Sequence, residues 1–254
     1  MELKSKIALV TGGSRGLGKN MVQSLAKKGF DVIFTYHTKK DEAQAVIADI
    51  EQLGQKGAAL QLDTADIKSF DQFLIQVQEV LKDKFDTDHF DFLINNAGIA
   101  VYAPFTDTTE EQFDTLLNIH YKGVYFLSQK SLALMNDGGG IVNISTGLAR
   151  FSTPGYSLYA SMKGAIETLT KYMAQELGKR GINVNIVAPG AIETDFGGGM
   201  VRDNPELNKH IASITALGRV GRPDDIGSVV AFLCTEDAKW INAQRIEVSG
   251  GQNL

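Results

Sequence analysis

Tyr159 and Lys163 stand four residues apart in Tyr159-Ala160-Ser161-Met162-Lys163, so on a helix they share one face. A phenol with its ordinary pKa of about 10 is a poor acid or base near neutrality, whereas a positive charge within about 4 to 6 Å favours its ionised form. Bringing that pKa to about 7 takes roughly 4 kcal/mol of differential stabilisation. One lysine need not supply all of it, so a desolvated pocket or a second positive charge must contribute. The pair is a candidate for proton transfer, but spacing alone does not select it, because Tyr36 and Lys40 repeat it. The difference lies in the elements that carry each pair. Tyr36 ends an apolar run and turns into a loop, while Tyr159 opens a long segment with Met162, Ile166, Leu169, Met173 and Leu177 in a helical stripe.

Composition narrows the setting. A chain of 254 residues with 43% hydrophobic content is read as a single domain spanning 1–254. A formal net charge of −5, with no block of like charge, argues against a nucleic-acid surface. The first apolar segment, Ile7 to Val10, is too short for a signal h-region or a membrane span, so a cytoplasmic protein without membrane contact is expected. Cys234 is the single cysteine, which forbids an intramolecular disulfide, and its apolar surroundings make it a buried thiol. His37, His89, His120 and His210 lie far apart, so no metal site is expected.

The elements that must position the pair alternate along the chain. Lys6 to Val10 reads as a strand that runs into Thr11-Gly12-Gly13-Ser14-Arg15-Gly16-Leu17-Gly18, after which Leu17, Met21 and Leu25 recur at helical spacing. Glycines in such a turn let backbone approach a pyrophosphate, and the N–H groups at the helix start stabilise its charge. Gly12, Ser14, Arg15, Gly16, Leu17 and Gly18 are therefore the expected cradle of a dinucleotide. The next strand, Asp31 to Tyr36, ends without the acidic residue that would bind an adenosine ribose hydroxyl and repel a 2'-phosphate. Tyr36, His37, Thr38 and Lys39 follow, with Arg15 in the glycine loop, and a guanidinium suits a phosphate, so NADP is favoured over NAD. Further strands are expected at Ala58 to Asp63, Phe92 to Ile94, Ile141 to Ser145, Asn183 to Val187 and Arg245 to Val248, and a long helix from about Thr109 to Leu134. The alternation, with strands too apolar for one-sided exposure, predicts an α/β fold: a three-layer, Rossmann-like, doubly wound parallel sheet with helices on both faces.

With these pieces in order, the chain resembles the short-chain dehydrogenase/reductase family over essentially its full length, nearest to bacterial oxoacyl-carrier-protein reductases and related carbonyl reductases. The residues that carry the resemblance are the Thr11 to Gly18 turn, Asn95-Asn96-Ala97-Gly98, a hydroxyl residue ahead of Tyr159 and Lys163, and Pro189-Gly190 followed by Thr194. The resemblance implies about seven strands and hydride transfer between a nicotinamide cofactor and a small-molecule carbonyl or alcohol. It implies Tyr159 as general acid, and Lys163 as the group that holds the ribose and lowers the tyrosine pKa. It places Asp63, Thr64, Asn95, Ala97 and Gly98 on the adenosine side, and Pro189, Gly190, Ile192 and Thr194 near the nicotinamide. It also implies a homo-oligomer, tetramer or dimer, for which the wide apolar arc of the Tyr159 helix is suited.

Two positions depart from the family pattern. Its substrate-binding serine stands thirteen places before the tyrosine, which here is Thr146, while the serine is the adjacent Ser145. Neighbours on a strand point to opposite faces, which favours Thr146, with Ser145 as the alternative if the strand has already ended. The asparagine whose main-chain carbonyl serves a proton relay is replaced by His120; Asn118 lies about 200° away around a helix. Asp195-Phe196-Gly197-Gly198-Gly199-Met200 opens a segment to about Gly218 that reads as a mobile substrate loop. Besides a reductase of small apolar ketones, the sequence admits a 3-oxoacyl-carrier-protein reductase, with Arg202, Lys209 and Arg219 meeting the carrier. A catalytically silent NADP-binding regulator is the alternative from another class.

Overall fold

The computed structural model describes residues 5–254. Its centre is a seven-stranded, wholly parallel sheet in the order β3-β2-β1-β4-β5-β6-β7. The strands are β1 (Ile7–Val10), β2 (Asp31–Tyr36), β3 (Gly57–Gln61), β4 (Phe90–Asn95), β5 (Met135–Ile144), β6 (Asn183–Pro189) and β7 (Arg245–Val248). Alternate side chains of one strand enter opposite layers, as the pleat requires. Ala8 and Val10 pack with Val32, Phe34 and Ile94 on one face, while Ile7 and Leu9 pack with Ile33, Leu93 and Ile141 on the other. The first face is covered by α1 (Gly16–Lys27), α2 (Lys40–Gln52) and, from the other end of the chain, α9 (Pro223–Leu233). The second is covered by α3 (Phe70–Phe85), α5 (Gly123–Ser131) and α6 (Ser157–Leu177), which supply Phe73, Leu127 and Ala174. Cys234 lies in the first of these layers, where burial raises its thiol pKa.

The expected long helix from 109 to 134 is not one regular helix. It divides into α4 (Glu110–Leu117), a π-helical turn over Asn118–Lys122, α5, and a 3-10 turn over Leu132–Leu134. Thr109 starts it with a capping box, its side chain accepting from the Gln112 N–H while Gln112 answers to the Thr109 N–H. The turn brings Gly123 so near Thr64 that a Cβ there would stand 2.2 Å from the Thr64 carbonyl oxygen. Strand five also differs from expectation: it begins at Met135, six residues before Ile141, and ends at Ile144, one residue before Ser145. The glycines at 138–140 hid the start of the strand by breaking its apolar pattern.

The 195–218 segment is more helical than a loop reading predicts, carrying α7 (Met200–Asp203) and α8 (Pro205–Ser213). Asn204 caps α8 by accepting from the N–H groups of Glu206 and Leu207, each at 3.1 Å, with Pro205 at the first helical position. Gly197, Gly198 and Gly199 all take positive φ, a conformation that opposes any side chain. No described helix is long and apolar enough to cross a membrane.

Candidate active site

The strand order reverses between β1 and β4, and the loops after these strands face each other across that switch point. Thr11, at the end of β1, joins them. Its hydroxyl oxygen accepts from the N–H groups of Asn96 (2.9 Å) and Ala97 (3.0 Å). Asn96 answers with its amide, which donates to the carbonyls of Thr11 and Gly12 at 2.9 and 3.2 Å. Gly12 and Gly16 have positive φ, and a Cβ on Gly18 would lie 2.0 Å from the Gly12 carbonyl oxygen, so the turn closes only without side chains there. The N–H groups of the first turn of α1 remain free of helical partners, which suits a pyrophosphate.

The glycine turn is pinned to β2 by Thr35, whose hydroxyl accepts from the Gly12 N–H at 3.0 Å and whose carbonyl accepts from the Gly13 N–H at 2.8 Å. This places the loop carrying Ser14 and exposed Arg15 next to the end of β2, where His37, Thr38 and Lys39 are also exposed. Asp63, after β3, lies 3.8 Å from the His37 ring. The rim therefore brings together the cations expected to meet a 2'-phosphate. At the other end of the cleft, a Cβ on Gly16 would lie 3.9 Å from Thr194, so the glycine turn and the loop after β6 share one cleft. Pro189 ends β6, Gly190 donates to the Val248 carbonyl at 3.1 Å, and Ile192 bridges to Gly221.

Asn95 has a structural role as well. Its buried amide donates to Ser128 (2.9 Å) and Asn143 (2.8 Å), and Asn143 donates in turn to Thr170 (2.9 Å). The side chain ties β4 to β5, α5 and α6, which leaves only its main chain to meet a coenzyme. The partner of the glycine turn is its neighbour Asn96, which the Asn95-Asn96 doublet left unresolved in the sequence.

Tyr159 and Lys163 sit in the first two turns of α6, both buried, with the ammonium 5.8 Å from the centre of the phenol ring. Lys163 donates to the Ile144 carbonyl at 2.8 Å, and burial lowers its pKa to about 8. The phenol pKa does not fall as expected. Burial, followed by nearby Tyr156, raises it above the ordinary value, while the lysine is held at a backbone carbonyl beside the ring.

Ser145 and Thr146 diverge although the strand ends before them. The buried Ser145 hydroxyl donates to Glu167 at 2.6 Å, and Glu167 is paired with Arg245 at 2.7 Å. The Thr146 hydroxyl accepts only a long local bond, 3.3 Å, from the Leu148 N–H, and retains capacity for another partner. His120 lies in the π turn, 1% exposed, with its ring edge-on to Tyr159 at 5.2 Å between centroids. Its Nε2 is 2.8 Å from the Ile99 carbonyl, which assigns the proton to Nε2 in the neutral ring and leaves Nδ1 as a buried acceptor without a protein partner. Burial, with the nearby Lys163 charge, lowers its pKa to about 3. A Cβ on Gly98 would meet this ring at 2.6 Å.

Around Tyr159 the open side is aromatic. Phe196 approaches its ring at 6.0 Å and Tyr102 packs edge-on to Tyr156 at 5.6 Å, with Tyr102 and Phe196 largely exposed. Arg202 is held by Asp203 (2.7 Å) and by Asp195, and Arg219 by Asp225 (2.7 Å).

A dinucleotide cradle at the switch point of a doubly wound sheet, with a buried tyrosine and lysine one turn apart beside it, defines a coenzyme-dependent oxidoreductase fold. The sequence model of a family described as "Enoyl-(Acyl carrier protein) reductase" matches residues 12–253. A hydroxynaphthalene reductase-like protein of Metarhizium brunneum is 35% identical, over 98% of this chain and 95% of its own length. Among solved structures, the reductase LugOII, described as catalysing keto-reduction in lugdunomycin biosynthesis, superposes with a TM-score of 0.94 at 35% identity over all of both chains. The landomycin C-6 ketoreductase LanV, solved with NADP and rabelomycin, does so with 0.89 at 34% identity over 99% of this chain and 97% of its own. The chain belongs to the short-chain dehydrogenase/reductase family and is an oxidoreductase acting on C=O or CH–OH groups.

Proposed function

We propose that this protein is a cytoplasmic NADP(H)-dependent reductase of ketones carried on flat, apolar ring systems, with Tyr159 as the proton donor to the carbonyl oxygen. The observation that carries the reading is the buried Tyr159–Lys163 pair opening onto the aromatic wall of Tyr102, Tyr156 and Phe196. The bound nicotinamide coenzyme supplies the hydride. Arg15 and the His37 to Lys39 rim would hold its 2'-phosphate, the first turn of α1 would hold its pyrophosphate, and Ile192 and Thr194 would hold its nicotinamide end. The Thr146 hydroxyl donates to the carbonyl oxygen and orients it. The Lys163 ammonium stabilises the tyrosinate left after proton transfer, and a proton from solvent restores the Tyr159 phenol between turnovers. His120, neutral at physiological pH, acts through the shape of its turn and through Ile99, not as an acid. The relatives named for hydroxynaphthalene reduction and angucycline keto-reduction support a ring ketone. A carrier-linked thioester is the second reading; of its three candidate cations, Arg202 and Arg219 pair with Asp203 and Asp225 at the surface. The 195–218 segment closes over the ring.

The test uses NADPH oxidation with a panel of fused-ring and simple ketones. Tyr159→Phe should lose about 10²- to 10⁴-fold in turnover, the range of general acid catalysis, with NADPH affinity retained. Thr146→Ala should reduce kcat far more than Ser145→Ala, and Arg15→Ala should narrow the NADPH preference over NADH. NADPH binding without turnover of any ketone by the wild type would sink the enzyme reading, and better turnover of a carrier thioester would replace the substrate class.

A further inference from the structure

Arg150 lies four residues after Thr146 and has no place in the chemistry above, yet it makes four hydrogen bonds to one end of the chain. Its Nε and Nη2 grip the two oxygens of Glu247, each at 2.8 Å. Nη2 also donates to the Gln252 carbonyl at 2.7 Å, and Nη1 to the Asn253 carbonyl at 3.0 Å. A surface ion pair by itself contributes little, but a forked carboxylate contact joined to two main-chain carbonyls fixes orientation as well as charge.

What Arg150 grips is connected to three loops of the site. The Gln252 side chain, 7% exposed, accepts from the Ala191 N–H at 2.9 Å, in the loop that leads to Ile192 and Thr194. The same stretch pairs with the far end of the 195–218 segment. Leu217 and Ala216 donate to Gly250 and Gly251 at 3.0 and 3.1 Å, and Asn253 donates to Ile214 at 2.9 Å. Glu247 also accepts from Arg245 at 2.8 Å, and Arg245 donates to the Thr146 carbonyl at 3.1 Å. Thr146, the loop after β6 and the lid end are thus tied to one stretch, residues 245–253.

We propose that Arg150 is a positioning residue: by seating residues 245–253 it sets the Thr146 loop, the Ala191 loop and the base of the 195–218 lid in one register. The proposal rests on the reductase reading for its effect on turnover, but not for its effect on structure. Displacement of about 1 Å at such loops costs on the order of 10²-fold in rate, so misregister is read in kcat.

The experiment compares wild type, Arg150→Ala and Arg150→Lys, each loaded with NADPH, by steady-state kinetics on a ketone substrate and by amide hydrogen exchange. Arg150→Ala should lose about tenfold or more in kcat, with less change in KM. Its amides at 190–192 and 214–217 should exchange about tenfold faster, with those of β1 and β4 unchanged. Arg150→Lys keeps the charge but not the fork, and should recover only part of both effects. Exchange unchanged at these loops, exchange accelerated evenly across the sheet, or full recovery by lysine would each overturn the proposal. Should the alanine variant not fold, the lysine variant is read alone by the same exchange criterion. A wild type inert toward every ketone would end the reductase reading, and the exchange data would still decide the role of Arg150.

Discussion

His120 shows how much a single buried side chain changes when its neighbours are known. Burial and the nearby Lys163 charge hold the ring neutral, with a pKa of about 3 in place of 6.5, against the opposing pull of its bond to the Ile99 carbonyl. Below pH 6.5 the unfolded chain takes up a proton that the native ring refuses, so stability is lost as pH falls from 6.5 toward 3. The loss approaches about 1.4 kcal/mol per pH unit. Native carboxylates with lowered values, among them Asp225, Glu236 and Glu247, add their own loss only as the pH falls into and below the ordinary carboxylate range. Urea unfolding between pH 6.5 and 4.5 should therefore show a steep loss in wild type and a flatter one in His120→Asn, a difference of roughly 2 kcal/mol at pH 5. Equal slopes would mean that the ring is protonated in the native state.

At the scale of elements, the glycines separate two kinds of constraint. A Cβ at Gly123 would stand 2.2 Å from the Thr64 carbonyl and 2.9 Å from that of Asn118, both main chain and unable to swing aside. Gly123→Ala should destabilise by about 1 to 3 kcal/mol as an overpacked contact, and should displace the π turn that carries His120. Gly198 has open space around it and only a positive φ of 75° to defend. Its alanine variant should lose about 1 kcal/mol. Thermal unfolding of the two variants checks the order, and an equal effect would mean that the approach of α5 to Thr64 is not tight. The divided 109–134 helix was hidden from the sequence for the same reason. A π turn leaves no mark in apolar spacing, and the contact beside it, Gly123 on the Thr64 carbonyl, joins residues some sixty apart in the chain.

For the whole molecule, a groove of 580 Å³ opens between the outward faces of α5 and α6, lined by Tyr121, Tyr125, Leu132, Leu169, Tyr172 and Met173. Tyr172 is 64% exposed there. The apolar arc of α6 thus faces the sheet with Ile166 and Ala174 and solvent with Leu169 and Tyr172, so a second copy of the chain is the expected cover. Light scattering should find a dimer or tetramer in wild type and a smaller species in Leu169→Glu/Tyr172→Glu, since each buried apolar side chain contributes about 1.5 to 3 kcal/mol. A monomeric wild type would remove this expectation.

The sequence by itself determined the sheet, its strand segments and the glycine turn. These rest on apolar periodicity and backbone freedom, which are local properties. It also singled out Tyr159 over Tyr36, because one opens a helix and the other ends a strand. The tertiary structure decided what depends on partners remote in the chain. Asn95 turned inward and Asn96 bound the glycine turn; Ser145 was taken by Glu167 and left Thr146 the available hydroxyl. Lys163 went to a carbonyl of β5, and burial outweighed its charge at the phenol. A side chain's direction and its electrostatic balance are set by atoms brought near only on folding, and neighbours in sequence cannot report them.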